Sequence, residues 1–222
     1  MVNRALRQPE VILRSLQATT DTPVAVNPVR RVLLIHTLLF VIGAGHSQAD
    51  TKKDTPLISI GLFGAGAIAG TMLARAESVT ARILGPVGIR VRWEDRDIRH
   101  AAVERIDIRF ANSTTDQSSR FATSLPFASS GVRIIIFVNR IQAAGNHDLL
   151  FTSRLLGHVL AHEIGHVLMR TDQHSPQGVM KERWTEDDYA EIRRSYLMFT
   201  DENVTAILAA IAAEEHRAVG PQ

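Results

Sequence analysis

The sequence predicts a domain of the α+β class. Four short stretches between residues 57 and 141 have the alternating or continuously apolar character of β-strands. A longer apolar stretch begins near Leu149, and two stretches after residue 184 carry the signals of helices. The chain of 222 residues is 45% hydrophobic, which is ordinary for one globular domain with its own core.

The first half of this domain is predicted to contain a strand, a helix and two further strands. Leu57 to Phe63 predicts a short strand. Residues from about Ala67 to Leu84 predict a helix, which Gly85-Pro86 would end. The alternating stretches "GIRVRW" and "RIDIRF" predict the next two strands. The apolar stripe of the helix consists of Ile68, Met72, Leu73, Val79 and Ile83.

The second half begins with a polar loop, "NSTTDQSSRFATSLPFASSG", around a possible short edge segment from Phe121 to Phe127. The continuous apolar run "VRIIIFVNRI" predicts a central strand, because central strands are covered on both faces. The long helix follows from about Leu149. A helix is also predicted for "TEDDYAEIRRSYLMF", because Thr185 can cap it and acidic residues fill its first turn. The segment "ENVTAILAAIAAEEHRA" predicts a last helix.

The long helix contains a pair of histidines with metal-ligand spacing. His162 and His166 are four residues apart, so their side chains lie about 40° apart on one helix face. Two imidazoles on adjacent turns can bind one metal ion. Glu163 would lie close to that ion without being a natural ligand. This His-Glu-x-x-His arrangement is typical of two zinc ligands and a carboxylate that takes a proton from metal-activated water.

The neighbours of this motif are apolar, so a pair of surface histidines is disfavoured. Buried imidazoles and a buried carboxylate are costly without partners, and a metal supplies those partners. His158 lies on the face of His162 one turn earlier, where it would belong to the core or support a ligand. His147 precedes the helix and is interpreted as a loop residue.

A catalytic zinc ion usually has three protein ligands, so a third must come from outside this helix. His174 lies twelve residues after His162, about 18 Å farther along if the helix continued. The helix would therefore have to end near Met169 to Asp172 and the chain turn back. The segment "RTDQHSPQG" is rich in turn-forming residues and favours such an end. Asp172 remains an alternative third ligand.

The motif resembles that of the metzincin clan of zinc peptidases. Members carry His-Glu-x-x-His-x-x-Gly-x-x-His, or Asp at the last position, followed by a turn that places a methionine beneath the metal. Here "HEIGH" matches the first part and "HSPQGVM" the last ligand and the turn, with Met180 as the methionine. Two departures are present. Met169 stands at the family glycine, and His174 comes two residues late, while Asp172 occupies the standard ligand position.

The order of the predicted elements also resembles that of the metzincin catalytic domain. It implies a twisted mixed β-sheet with an N-terminal helix, an active-site helix and C-terminal helices, and an edge strand that binds extended substrate by β-addition. The resemblance implies Zn²⁺ as cofactor and a peptide or protein as substrate. Glu163 would be the general base and Met180 an apolar support. The implied ligands are His162, His166 and His174, the last favoured over Asp172 because imidazole suits zinc.

Residues 1–49 are predicted to be a leader. Two arginines precede an apolar run from Val32 to Ala44, and "SQA" precedes Asp50, which is the pattern of a signal peptide spanning Arg30 to Ala49. Thirteen apolar residues are too few for a bilayer, which needs about 20. Residues 50–222 would then be a single secreted or periplasmic catalytic domain with no stable membrane span. Alternatively, the run is a core helix or an uncleaved anchor.

The charge distribution does not favour a nucleic-acid partner. Five of the 25 Lys and Arg residues and two of the 23 Asp and Glu residues lie in the leader, so residues 50–222 carry 20 basic and 21 acidic residues. No basic stripe with interleaved aromatic residues is present. The chain has no cysteine, which excludes a disulfide framework and a thiolate zinc site.

Two functions besides that of a peptidase remain open on the sequence. One is a zinc-binding metzincin-like protein with little turnover that acts as a binding module. The intact Glu163 disfavours it, because a structural zinc site needs no base. The other is an intracellular regulator of a zinc peptidase, which would require the apolar run from Val32 to be part of the core.

Overall fold

The computed structural model describes residues 55–94, 104–114 and 120–219. The chain divides into two units, and all described residues belong to the second, Thr51–Gln222. The predicted leader and its signal peptide lie outside the described residues. The elements are β1 (Leu57–Phe63), α1 (Gly70–Leu84), β2 (Arg90–Glu94), β3 (Glu104–Ala111), β4 (Ala122–Ser124), β5 (Val132–Phe137), α2 (Val138–Gly145), α3 (Leu149–Met169), α4 (Glu186–Arg194) and α5 (Asp201–Val219).

The five strands form one mixed sheet in the order β2-β1-β3-β5-β4. The first four of these strands are parallel to one another, and β4 pairs antiparallel with β5. The α+β class and the mixed sheet are therefore confirmed. The edge segment predicted within Phe121 to Phe127 is the short strand β4, which among the described residues pairs with β5 alone.

Most residues of helix α3 are buried, and the helix packs closely against α1. Leu155, Leu160 and Ile164 have no exposed surface. A Cβ atom on Gly157 would lie 2.5 Å from Cβ of Val79, so the Val79 side chain of α1 packs directly on the backbone of α3 at that point. The hydroxyl of Thr80 also donates to the carbonyl of Gly157 over 3.0 Å. The helix that carries the histidine pair is thus fixed on a rigid core.

The prediction of one continuous strand from Val132 to Ile141 is wrong. The strand ends at Phe137 and α2 begins at Val138. Val138, Ile141 and Gly145 are buried at spacings of three and four, which is the period of a helix. The apolar run hides this change of period, because its residues are suitable for a buried strand and for a buried helix face alike.

Helix α4 is shorter than the segment that predicts it. It ends at Arg194, whereas the helix was expected to reach Phe199. The backbone beyond it is engaged elsewhere: the N–H of Leu197 bonds to His158, and the carbonyl of Met198 accepts from Val179. These contacts draw residues 195–200 out of the helix and place them against α3. No helix in the described part of the chain has the length and apolarity needed to cross a membrane.

Candidate active site

Helix α3 presents His162 and His166 on successive turns. The helix begins at Asp148, whose carboxylate accepts a hydrogen bond from the N–H of Phe151 over 3.0 Å. Fourteen residues farther along, the ring of His162 faces that of His166, with a ring-centroid separation of 4.7 Å. Their Nε2 atoms are 3.0 Å apart. The structure thus brings the two imidazoles together in the way that their spacing predicts.

The hydrogen bonds of these rings determine where their protons lie. Nδ1 of His162 is 2.8 Å from the carbonyl oxygen of Val179, and Nδ1 of His166 is 2.9 Å from that of Thr171. A carbonyl oxygen only accepts, so each Nδ1 carries a hydrogen. In the neutral rings both Nε2 atoms then direct lone pairs at each other over 3.0 Å. A metal cation bound by both Nε2 atoms would convert this repulsion into coordination.

Burial keeps both rings in the neutral form. It lowers the pKa of His162 to about 3, although the hydrogen bond to Val179 acts in the opposite direction. Burial likewise lowers the pKa of His166. The positive form of His174 would repel both rings and lowers each pKa further. Neutral imidazole is the form that binds metal ions, so the rings of His162 and His166 are in the protonation state that a metal ion requires.

The third histidine reaches this pair from the turn after α3. The helix ends at Met169, and Arg170 adopts the left-handed conformation with φ 51°. The ring centroid of His174 then lies 5.3 Å from that of His162 and 4.8 Å from that of His166. One ring nitrogen from each of the three histidines lies within 4.8 Å of the others. The predicted end of the helix near Met169 is confirmed.

Asp172, the alternative third ligand, takes a different position at the same site. It is exposed and lines the cleft, but it does not belong to the group of three converging side chains. Burial dominates the lowered pKa of His166, and the negative charge of Asp172 opposes that effect. This placement suits a carboxylate that acts on a ligand from outside the coordination sphere. The preference for His174 agrees with the geometry and remains a prediction.

Glu163 points from α3 towards the edge strand. Only 8% of the residue is exposed, and burial raises the pKa of its carboxyl group to about 7. A hydrogen bond from the Ser124 hydroxyl and the positive charge of Arg120 partly offset that rise. A carboxyl group with a pKa near neutrality can both accept and release a proton under ordinary conditions.

The turn that follows the third histidine packs against the backbone of α3 next to the histidine pair. Met180 is fully buried, and a Cβ atom on Gly165 would lie 2.7 Å from its Sδ, so the thioether packs directly on the backbone of α3. The N–H of Ser175 donates to the carbonyl of Met180 over 2.8 Å and closes the turn. Gly178 has φ 73°, a conformation that favours glycine. Met180 therefore lies where an apolar support is expected.

His158 belongs to the core, one of the two roles that the sequence left open for it. Its Nδ1 donates to the carbonyl of Arg154 over 2.7 Å, and its Nε2 accepts from the N–H of Leu197 over 3.1 Å. The ring is completely buried and contacts the rings of Trp184 and Tyr196. Burial lowers its pKa to about 4. Both nitrogens are engaged, so neither is available to a metal.

A cleft of about 890 Å³ opens over the three histidines. The edge strand and the residues before it form one wall, as the sequence predicts, and the segment after Met180 contributes to another. Sequence reasoning assigned no place at the cleft to Trp184 or Tyr189, and it gave no individual role to Arg120 and Ser124, which lie in the loop and edge segment expected there. A polar residue within the predicted edge segment was the only available signal for Ser124, and nothing in the sequence shows that its hydroxyl reaches Glu163.

The chain was compared with known proteins. No protein-family model and no curated protein matches it. Among solved structures it is similar to archaemetzincin from Methanopyrus kandleri, with 14% identity, coverage of 72% of this chain and 98% of that chain, and a TM-score of 0.43. It is also similar to metalloproteinase-II from Bacteroides fragilis, with 14% identity, coverage of 72% and 54%, and a TM-score of 0.42. Myroilysin follows with 10% identity, coverage of 68% and 71%, and a TM-score of 0.33.

The three histidines fit a zinc ion. Imidazole nitrogen is a preferred zinc donor, and three protein ligands leave one coordination position free. With Zn–N distances of about 2.0–2.1 Å, tetrahedral geometry places neighbouring nitrogens roughly 3.4 Å apart. The Nε2 atoms of His162 and His166 are 3.0 Å apart, and the nitrogen of His174 is within 4.8 Å.

Proposed function

We propose that this protein is a zinc-dependent metallopeptidase in which His162, His166 and His174 hold the metal. The observation that carries the proposal is the 3.0 Å separation of the Nε2 atoms of His162 and His166, whose Nδ1 atoms both lie against backbone carbonyls, with a third imidazole beside them. The carboxyl group of Glu163 adjoins this group and is buried. Three neutral imidazoles with an open fourth position are the donor set of a catalytic zinc, and the adjacent carboxylate supplies the base that a purely structural site lacks.

Each residue then has a definite part in peptide hydrolysis. A zinc ion held by His162, His166 and His174 would lower the pKa of a bound water to about 7 and polarise the scissile carbonyl group. Glu163 accepts a proton from the attacking water and passes it to the leaving amine. The hydroxyl of Ser124 orients the Glu163 carboxylate. The carbonyl groups of Val179 and Thr171 keep the imidazoles in the tautomer that leaves Nε2 free.

The edge strand offers a binding site for an extended peptide. Phe121 and Leu125 form main-chain hydrogen bonds with β5. Because main-chain groups alternate in direction along an antiparallel strand, those of Ala122 and Ser124 face the open edge. Both residues line the cleft. A peptide laid along this edge can exchange main-chain hydrogen bonds with β4, which would place its scissile bond beside the histidines.

The experiment that tests this proposal compares the zinc-loaded protein with its Glu163→Gln variant. Both are incubated with a mixture of peptides of varied sequence, and cleavage is followed by mass spectrometry. The amide keeps the shape of the side chain but cannot accept the proton, so we expect turnover to fall about 10²–10⁴-fold with zinc binding retained. Full activity in the variant would remove Glu163 from the mechanism. A zinc-loaded protein that cleaves no peptide would favour the binding module instead.

A further inference from the structure

The ring of His174 is less constrained by hydrogen bonds than the rings of His162 and His166. Nδ1 of His162 and Nδ1 of His166 each bond to a backbone carbonyl. Within the described part of the chain, neither ring nitrogen of His174 has a hydrogen-bond partner. His174 is also exposed and lies in the segment from Arg170 to Ser175, which contains no helix or strand. Its position therefore depends on how the backbone on either side of it is fixed.

Asn203, on the first turn of α5, contacts both ends of that segment. Its Nδ2 lies 2.9 Å from Oγ of Ser175, the residue after His174, and its Oδ1 lies 3.1 Å from the same oxygen. Nδ2 is also 3.9 Å from Sδ of Met169, the last residue of α3. Because the N–H of Ser175 bonds to Met180, the same contact also steadies the turn beneath the site.

Asn203 is itself fixed by the start of α5. Its N–H donates to Oγ1 of Thr200 over 3.3 Å. Its Oδ1 accepts from the N–H of Thr200 over 3.3 Å and lies 3.1 Å from the Thr200 hydroxyl. This is the reciprocal arrangement of a capping box. A side chain already immobilised in this way loses little further freedom when it binds Ser175, so the contact is a stiff one.

We propose that Asn203 is a positioning residue of the metal site, which holds the segment from Arg170 to Ser175 so that His174 faces the other two histidines. The inference rests on the proposed function in one respect, that the three histidines bind a metal, and does not require peptide hydrolysis. Without the contact, the segment has to become ordered when the metal binds, and that ordering costs conformational entropy. A preordered segment therefore binds zinc more tightly and releases it more slowly.

The test measures zinc affinity and zinc release from the full chain by competition with a coloured chelator. Asn203→Ala and Ser175→Ala each remove the contact and are expected to weaken zinc binding about 10–100-fold, the range for groups that support metal ligands. Release should account for most of that change. The double variant should bind zinc no more weakly than Asn203→Ala, because both substitutions remove the same interaction.

Thr200→Ala is the matched control. It removes a capping hydroxyl at the same helix start and leaves the contact between Asn203 and Ser175 in place. The melting temperature of the metal-free protein should fall, while zinc affinity should fall far less than in Asn203→Ala, because the N–H of Thr200 still donates to Oδ1 of Asn203. Circular dichroism of every metal-free variant verifies that the fold is retained, and Ser175→Ala serves if Asn203→Ala fails to fold.

Parental zinc affinity in both Asn203→Ala and Ser175→Ala would overturn this proposal. An equal loss in Thr200→Ala would also overturn it, because the effect would then come from the helix end. A protein that shows the expected zinc differences but cleaves no peptide would end the peptidase proposal and leave this one standing. A parent protein that binds no zinc would end both.

Discussion

The hydroxyl of Ser124 donates a hydrogen bond to the carboxylate of Glu163 and thereby connects the edge strand with the helix of the histidines. The bond favours the charged carboxylate and partly offsets the effect of burial on its pKa. Because substrate is proposed to bind along the same strand, the strand that receives the peptide also orients the base.

Replacing Ser124 tests this connection. Ser124→Ala should lower kcat about 10-fold with little change in KM, since a hydrogen bond to a charged group contributes about 1.5–3 kcal/mol and acts here on the base. Ser124→Thr keeps the hydroxyl in a residue suited to a strand and should restore most of the activity. Steady-state kinetics of the three zinc-loaded proteins decide the matter. An unchanged kcat in Ser124→Ala, or no recovery in Ser124→Thr, would refute the role.

The third ligand is tested by titrating zinc into two variants. His174→Ala should lose the metal or bind it very weakly, because only two imidazoles remain. Asp172→Ala should cost less, about 10–100-fold in affinity, as expected for a group that acts on a ligand from outside. If Asp172→Ala empties the site while His174→Ala stays filled, the ligand assignment is wrong and the standard metzincin spacing applies.

His158 makes the stability of the metal-free protein dependent on pH. Burial lowers its pKa from 6.5 to about 4, so the unfolded chain takes up a proton at a higher pH than the folded one. The neutral, buried ring of His158 therefore contributes fully to the free energy of unfolding above pH 6.5. This contribution is lost as the pH falls from 6.5 through 4, which lowers the free energy of unfolding by about 3 kcal/mol. Urea unfolding across this range should show a shallower pH dependence for His158→Gln than for the parent. Identical slopes would contradict the prediction.

Export remains a prediction for the residues outside the described structure. The arginine pair, the apolar run from Val32 to Ala44 and the small residues before Asp50 favour cleavage after Ala49. The protein recovered from its producing cell should therefore begin at Asp50 and be found outside the cytoplasm. N-terminal sequencing combined with cell fractionation provides the measurement. An intact leader on cytoplasmic protein would show that the apolar run has another role.

Much of the fold could be predicted because each element carries a local signal. Alternation predicts strands β2 and β3, turn-forming residues predict the end of α3 near Met169, and a threonine before acidic residues predicts the capped start of α4. Helix α2 could not, since Val138 directly continues the apolar run of β5 and Ile141 follows after only two polar residues. The early end of α4 depends on tertiary contacts of Leu197 and Met198, which no local pattern indicates.

The residues of the candidate site likewise fall into those that a local sequence pattern predicts and those that it does not. His162, His166 and Glu163 share one helix, so their spacing alone places them together. His174 was predicted from turn-forming residues together with a family resemblance. Ser124 and Asn203 escaped notice because they reach the site from other elements, β4 and α5, through contacts between residues far apart in the sequence.

The most direct test of the central claim measures zinc content and peptide hydrolysis on the same preparation. The protein is stripped with a chelator and then titrated with zinc, with Glu163→Gln as the matched control. Hydrolysis should be absent from the stripped protein, rise in proportion to bound zinc and level off at about one ion per chain. Glu163→Gln should bind the same amount of zinc with little hydrolysis. Undiminished hydrolysis without zinc, or none at full occupancy, would contradict the account.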